Sequence, residues 1–408
     1  MYDVVIVGAG AAGMLCAVTA ARNGAVVAVC EKNDRNGKKL AITGKGRCNL
    51  TNNCDNETIM KNIPRNARFL YSALSQFSAA DTMELFESLG VPLKTERGNR
   101  VFPVSDRAAD VVRALNDELK RLKVEVLREN VTALILEDGE CRGVRTKKGE
   151  VRAAATVLAT GGKSYPLTGS DGFGYKLAQS AGHTIVQPEP SLSAMETQQR
   201  WVSDAAGLSL RNISMKLYDG TKCIYDDFGE LMFMDYGISG PTVLSASAHI
   251  PAMEQGRYSV KIDLKPALSE KQLDARILRD FAERKGSRFC DSLRGLLPQQ
   301  LVQPVVELSG IDPEKRVDEI SKAERKKLGD TLKGLTLDIT RFRPIDEAII
   351  TRGGVSVKEI DPKTMASKLC DGLYLAGEMI DCDAYTGGFN LQIAFSTGYA
   401  AGMAAAFR

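Results

Sequence analysis

The chain has 408 residues, long enough for two or three domains rather than one. Its 54 Lys and Arg against 51 Asp and Glu leave a formal net charge of +3, which gives no electrostatic case for a nucleic acid or an anionic membrane as partner. The apolar 44% and charged 26% are ordinary for a globular protein, and no apolar run is long enough to span a bilayer; residues 391–407 come nearest and are interrupted by Gln392, Ser396 and Thr397.

The chain opens on Asp3-Val4-Val5-Ile6-Val7-Gly8-Ala9-Gly10-Ala11-Ala12-Gly13, an apolar strand that turns through glycines into a helix. Gly8 permits the turn, Gly10 leaves room for a pyrophosphate, and Gly13 lets helix and strand pack closely. The helix start at Ala11 and Ala12 offers free N–H groups and a positive dipole end to phosphate. About twenty residues on, a second apolar strand ends at Glu31, placed to accept hydrogen bonds from a ribose. The motif marks dinucleotide binding without saying which dinucleotide.

Residues 32–52 are rich in Gly, Asn and Lys and show no helical or strand period. They read as a long loop, and with Lys39 and Gly46 they are expected to lie over the cofactor. Residues 57–89 carry a helical pattern, 91–103 read as irregular strand, and Asp106 is the expected N-cap of a helix to Leu122. Residues 124–127 read as a further parallel strand that brings Val131 near the adenine. Residues 131–136 and 151–158 read as strands, with turns at Gly139 and Gly149. Thr160, Gly161 and Gly162 follow a buried strand, a second place for close backbone approach. Asp171 is the expected cap of a helix through Ala181.

Composition shifts between residues 191 and 340. Short alternating runs at 208–217, 222–225, 231–234 and 258–264 stand among helical runs at 272–284, 292–308 and 322–332. This predicts a β-rich domain, residues 191–340, with a helical part at about 268–333, inserted into a first domain of residues 1–190 and 341–408. After it, residues 348–355 read as strand then turn, and 372–378 as a buried strand ending at Gly377-Glu378. Gly387-Gly388 opens a last helix. Asp381 would meet ribityl or pyrophosphate-side hydroxyls. The N–H groups from Gly388 through Asn390 to Leu391 would face the pyrimidine edge of a flavin, whose reduced form is negative there.

Nine cysteines stand without a C-x-x-C pair, so neither a zinc knuckle nor a dithiol motif is readable. Their odd number and the absence of a secretory segment at the start lead to the expectation of a reducing cytoplasm. His183 and His249 are the only histidines, and no metal site or triad is expected.

Six stretches make the pattern specific: Thr43-Gly44-Lys45-Gly46-Arg47-Cys48-Asn49-Leu50-Thr51-Asn52, Ala159-Thr160-Gly161-Gly162, Tyr236-Gly237-Ile238-Ser239-Gly240-Pro241, Thr351-Arg352-Gly353-Gly354-Val355, Gly377-Glu378-Met379-Ile380-Asp381 and Thr386-Gly387-Gly388-Phe389-Asn390-Leu391-Gln392. In this order they resemble the BaiN/YhiN-like flavoproteins, described as NAD(P)/FAD-dependent oxidoreductases, over essentially the whole chain. The resemblance implies an α/β fold: a Rossmann-like FAD-binding domain split in sequence, with an inserted β-barrel-like domain and a helical excursion. It implies FAD contacts at Gly8, Gly10, Gly13, Glu31, Lys32, Arg47, Cys48, Asn49, Val131, Thr160, Gly161, Gly377, Glu378, Asp381, Gly388, Asn390 and Leu391. Met234-Asp235-Tyr236 stands where many relatives carry a Thr-His pair, so any imidazole role there is lost.

The expected activity is FAD-dependent reduction of an organic acceptor, such as a conjugated C=C bond, with NAD(P)H as transient reductant and a small molecule as substrate. A flavin oxidase or amine dehydrogenase using O2, or a flavoprotein acting on tRNA, are the alternatives. Tyr385, Tyr165 and Tyr236 are the candidate proton donors. Arg47 is the candidate for holding the pyrophosphate or an anionic substrate.

Overall fold

The structure, a computed structural model, describes residues 2–408. The chain divides into two compact units: the residues up to Ser191 together with Pro344–Arg408, and Leu192–Arg343.

The first unit opens with β1 (Tyr2–Val7), α1 (Ala11–Arg22) and β2 (Val27–Cys30). Residues 4–7 of β1 and all of β2 are continuous buried apolar runs because both faces of their sheet are covered. The expected loop 32–52 is ordered. It holds α2 (Lys38–Ile42), a 3-10 turn at Thr43–Gly46 with Gly44 and Lys45 left-handed, and β3 (Thr51–Asn52). Leu40 is the single buried residue of α2, too little for a visible period.

The helical stretch at 57–89 is three helices, α3 (Asn56–Lys61), α4 (Ala67–Gln76) and α5 (Ala79–Ser88). Asn66, left-handed, starts α4, and Ser78 forms a capping box with Asp81 that starts α5. β4 (Leu93–Glu96) and β5 (Arg100–Pro103) complete a three-stranded sheet with β3. Asp106 does not cap α6 (Ala108–Arg121). Its φ is +54°, its carboxylate is held by Arg47 and Lys94, and Arg107 occupies the cap position.

β6 (Glu125–Leu127) pairs with β2 in parallel, as its sequence suggested. β7 (Val131–Glu137), β8 (Glu140–Thr146) and β9 (Glu150–Leu158) form an antiparallel meander, and β9 then runs on beside β1 in parallel. α7 (Phe173–Ser180) has Gly172 as its N-cap. Asp171 stands one residue earlier, where its Oδ1 accepts from Phe173 N at 3.0 Å. β10 (Ile185–Ser191) ends the first segment.

The second unit is a closed antiparallel barrel with its own core. Its elements are β11 (Met195–Thr197), β12 (Ser209–Asp219), β13 (Lys222–Met234), β14 (Gly237–Ser239), α8 (Pro241–Ser247), β15 (Tyr258–Asp263), α9 (Glu270–Glu283), α10 (Phe289–Ser292), α11 (Gln299–Ser309), α12 (Lys322–Lys333) and β16 (Leu335–Phe342). The barrel order is β11-β14-β13-β12-β15-β16. The runs at 222–225 and 231–234 are one strand. The Asp226-Asp227-Phe228 stretch between them stays paired to β12 with its side chains in solvent. Pro298, at the cap position of α11, separates that helix from α10, so the run at 292–308 is not one helix.

Back in the first unit, β17 (Ile350–Val355) pairs with β10, β18 (Leu373–Leu375) adds to the far side of β9, and α13 (Phe389–Ala406) closes the fold. Gly353 and Gly354 lie inside β17 rather than in a turn. A Cβ on them would stand 2.4 Å from Gln187 O and 2.4 Å from Met379 O. α13 packs on α1 at backbone distance: a Cβ at Gly398 would meet Ala12 O at 2.4 Å. Among the described residues no helix is long and apolar enough to cross a membrane.

Candidate cofactor and active site

Register puts the site together. The strands β6, β2, β1, β9 and β18 run parallel, and their last residues, Leu127, Cys30, Val7, Leu158 and Leu375, stand opposite one another. The segment leaving each strand therefore emerges at one edge of the sheet. Gly8, Glu31, Asn130, Thr160 and Gly377 are all close behind those ends, and all line one cavity of about 210 Å³. Ligands of open parallel sheets bind outside the carboxyl ends of the strands for this reason.

Of the residues singled out from sequence, the cavity wall includes Gly8, Gly10, Ala11, Ala12, Glu31, Lys32 and Lys39 from the N-terminal stretch. Val131, Thr160 and Gly161 line it from the middle, and Gly377, Glu378, Asn390 and Leu391 from the end of the chain. The first turns of two helices, α1 and α13, open on this single space. The three early glycines have separate tasks. A Cβ on Gly10 meets nothing within 4 Å, so that position opens on the cavity. Gly8 has φ +102° and a Cβ there would be 2.6 Å from Ala159 O, while one on Gly13 would be 1.9 Å from Gly8 O.

Glu31 is buried and closes the turn: its Oε2 accepts from Ala9 N and its Oε1 from Asn33 N, both at 2.8 Å. Each carboxylate oxygen keeps a lone pair for a ligand. Lys39 Nζ donates to Glu378 Oε2 at 2.6 Å and to Ser164 Oγ at 2.6 Å, so the α2 segment is tied to the strand end after β18. Gly162 serves packing, since a Cβ there would stand 2.3 Å from Thr351 Oγ1. Asp381 is buried beside Asn66, which donates to its Oδ2 at 3.1 Å, while its Oδ1 makes no hydrogen bond and lies 3.9 Å from the Arg65 guanidinium.

Gly13, Gly46, Arg47, Cys48, Asn49, Gly162, Asp381, Gly387 and Gly388 do not line the cavity. Arg47 lies over the Phe102 ring at 4.1 Å and pairs with Glu96 and Asp106 at 2.5 Å each. The guanidinium holds the Glu96 carboxyl below its usual range, and the Lys94 ammonium with the guanidinium does the same for Asp106. The charge once considered for a pyrophosphate is thus neutralised within the chain. Cys48 is fully buried with φ +62°, and burial pushes its thiol up to about 12, so it is not a thiolate at neutral pH. Asn49 has its amide oriented with Oδ1 accepting from Gly388 N at 2.9 Å, which positions the start of α13.

The tyrosines separate. Tyr385 follows buried Asp383 in the first unit, is not on the cavity wall, and has its phenol raised by burial, so it stays protonated. Its N–H donates to Asn62 O at 2.9 Å. Tyr165 is left-handed, donates its N–H to Asp346 O, and is not on the cavity wall. Tyr236 belongs to the second unit, with the Arg343 guanidinium 4.3 Å over its ring. His183 is buried, with Nε2 2.8 Å from Ser367 Oγ, and His249 packs on the Tyr225 ring at 4.7 Å. Among the described residues no group of His, Cys, Asp and Glu is arranged for a metal ion.

Sequence reasoning passed over Asn33 and the wall formed by Thr168, Gly169, Ser170 and Asp171. Asn33 Nδ2 donates to Thr168 O at 3.0 Å and Lys32 pairs with Asp171 at 2.7 Å, so this loop presses on the Glu31 turn. The available signal was the pair Gly169 and Gly172, both of positive φ, punctuating a segment with no period.

The set fits FAD: two helix N-termini on one cavity, an open Gly10 and a buried acid, Glu31, at the ribose position. The description HI0933-like protein Rossmann domain matches residues 2–404. The chain is 34% identical to a Clostridium scindens protein named 3-dehydro-bile acid delta(4,6)-reductase, over 100% of both chains. It is 30% identical to a Haemophilus influenzae protein named ribosomal RNA dihydrouridine synthase, over 97% of this chain and 96% of that one. In fold it is similar to the 3-ketosteroid-Δ4-(5α)-dehydrogenase of Rhodococcus jostii RHA1, with a TM-score of 0.53 at 18% identity over 99% and 96% of the two chains. The chain belongs to the HI0933-like Rossmann family, that of the BaiN/YhiN-type flavoproteins, and is an FAD-dependent oxidoreductase.

Proposed function

We propose that the protein saturates a C=C bond conjugated to a carbonyl, with NAD(P)H as the source of electrons. The observation that carries this reading is that two relatives, matched over nearly their whole length, have names that describe the same bond change on unlike molecules. A Δ4 bond in a 3-oxo steroid and the C5–C6 bond of uracil are both polarised by a neighbouring carbonyl.

When bound, FAD would supply the hydride chemistry between a nicotinamide and the electron-poor β-carbon. The chain does the rest. The N–H groups of α1 at Ala11 and Ala12 and the open Gly10 would hold the pyrophosphate, Glu31 would hold the adenosine ribose, and Glu378 and Asp381 would meet the ribityl side. The first turn of α13, at Asn390 and Leu391, would face the flavin pyrimidine. Tyr385, kept neutral by burial, gives the proton to the α-carbon, so one hydride and one proton are added.

The test is an anaerobic half-reaction on the holoenzyme, followed by turnover. NADH or NADPH should bleach the flavin, and a 3-oxo-4-ene steroid should restore its colour. Tyr385→Phe should keep FAD and the bleaching step and lose about 10²-fold in turnover. A flavin that neither nicotinamide reduces overturns the NAD(P)H reading; hydrogen peroxide formed from an amine indicates an oxidase. The name of the second relative supports uridine in ribosomal RNA as the alternative acceptor. Recolouring by such RNA and not by the steroid would select it.

A further inference from the structure

Gln392 sits in the first turn of α13 and is fully buried. Its backbone N–H makes the first bond of the helix, to Gly388 O at 3.1 Å. Its neighbours Asn390, Leu391 and Ala394 line the cavity, while Gln392 faces the protein interior. There the amide is saturated. Oε1 accepts from Thr51 Oγ1 at 2.6 Å and Thr82 Oγ1 at 2.8 Å; Nε2 donates to Phe77 O at 3.1 Å and Ser396 Oγ at 3.0 Å.

One side chain thus ties the start of α13 to β3, to α5 and to Phe77 at the end of α4. Packing alone asks for leucine at such a position, and a buried amide is tolerated only when every polar atom is used. Two further bonds converge on the same turn: Asn49 accepts from Gly388 N at 2.9 Å and Asn52 Nδ2 donates to Gly387 O at 3.0 Å. The fit is close, since a Cβ on Gly388 would stand 2.3 Å from Thr51 O.

We propose that Gln392 is a positioning residue: it fixes the first turn of α13 against the flavin pyrimidine and so raises the reduction potential of bound FAD. This rests on the reading above that the flavin end of FAD lies at α13. The end of a helix carries about half a positive charge, and its effect falls off within one turn. Reduced flavin is negative at that edge and oxidised flavin is not. Letting the turn drift therefore weakens the reduced form selectively, without removing a contact to FAD.

The experiment measures the midpoint potential and FAD affinity of the holoenzyme and of Gln392→Leu, Thr51→Val and Asn390→Asp. The first two loosen the turn from the interior; the third replaces an amide bonded to the backbone of Ala384 and Tyr385 by a carboxylate and so sets a negative charge in that turn. All three should retain FAD and show a more negative potential. For Gln392→Leu and Thr51→Val the ratio of reduced to oxidised affinity should fall about two- to fivefold. A shift in Asn390→Asp alone, with both others at the wild-type potential, overturns the positioning role and leaves the site reading intact. No shift in any of the three overturns the site reading itself. Should Gln392→Leu fail to load FAD, Thr51→Val decides, because it keeps the amide and its three other bonds.

Discussion

The glycines of the opening loop divide labour residue by residue, and substitution can separate their tasks. Gly10 has an ordinary φ of −82° and open space where a Cβ would be. Gly10→Ala should leave the apo protein within about 0.5 kcal/mol of wild type, because nothing collides and no strained conformation is imposed. The added methyl projects into the cavity, so FAD affinity should fall by about tenfold or more, read by fluorescence titration. Gly13→Ala should behave the other way. Helix propensity gains about 1 kcal/mol, but the methyl would lie 1.9 Å from Gly8 O, a backbone atom that cannot swing aside. A net loss of roughly 3 kcal/mol or more is expected by denaturant unfolding of the apo protein. Equal losses of stability in the two variants would show that the loop is a packing device throughout.

At the scale of elements, α1 and α6 are joined by a carboxylate almost out of solvent. Glu118 of α6 pairs with Arg22 of α1 at 2.6 Å and with Arg121 at 2.7 Å, and its side chain is 4% exposed. Its arginine partners hold the carboxyl down from 4.5 to about 2. A depressed acid stabilises the fold in full above its unfolded pKa, and the stabilisation is lost as pH falls from about 4.5 toward about 2. At about 1.4 kcal/mol per unit the upper limit is roughly 3 kcal/mol. Both arginines are well exposed, which brings the expectation to about 1–2 kcal/mol. Glu118→Gln should lose that amount at pH 7 and flatten the acid limb of the stability curve. An acid limb unchanged in the variant would mean that other carboxylates govern it.

This pairing was not legible in the sequence, and neither was the Gln392 network, whose partners Thr51 and Thr82 lie 341 and 310 residues away. Local chemistry was legible where it was periodic or glycine-marked. The βαβ start, the parallel β6 and the glycine turn into α13 follow from apolar runs and their breaks. Three-residue barrel strands such as β14 carry no period, and α2 buries one side chain, so propensity had nothing to act on. Asp106 had the right type and spacing for a cap, but ion pairs with Arg47 and Lys94 took it, which only tertiary structure reveals. Asp171 does accept from the first N–H of α7, from one residue before the cap position, while its other oxygen pairs with Lys32. Arg47 is the same lesson at the site, where a basic residue beside a glycine turn invites a phosphate and Glu96 with Asp106 already hold it.

Across the whole molecule, the insertion is tolerated because the chain leaves and re-enters at adjacent points. In the first unit Ser191 of β10 stands opposite Ile350 of β17. In the second, Met195 of β11 stands opposite Phe342 of β16, and Arg343 N donates to Ala194 O at 3.0 Å. Each unit is thus a closed fold with neighbouring ends. The barrel has no free edge among its ordered strands, since β11 and β16 pair to close it. Its core, including Phe233, Tyr258, Ile262 and Leu337, draws on its own residues alone. Every residue on the wall of the cavity at the strand ends comes from the first unit. Two consequences can be measured separately. Residues 192–343 made alone should melt cooperatively and bind no FAD. A chain in which a short flexible linker joins Ser191 to Pro344 should still take up FAD. Its melting temperature should rise with ligand, by about 2.7 kcal/mol of added stability at a hundredfold excess over Kd. If the joined chain folds but leaves FAD unbound, the cofactor site is not complete within the Rossmann unit, and the barrel must supply what is missing.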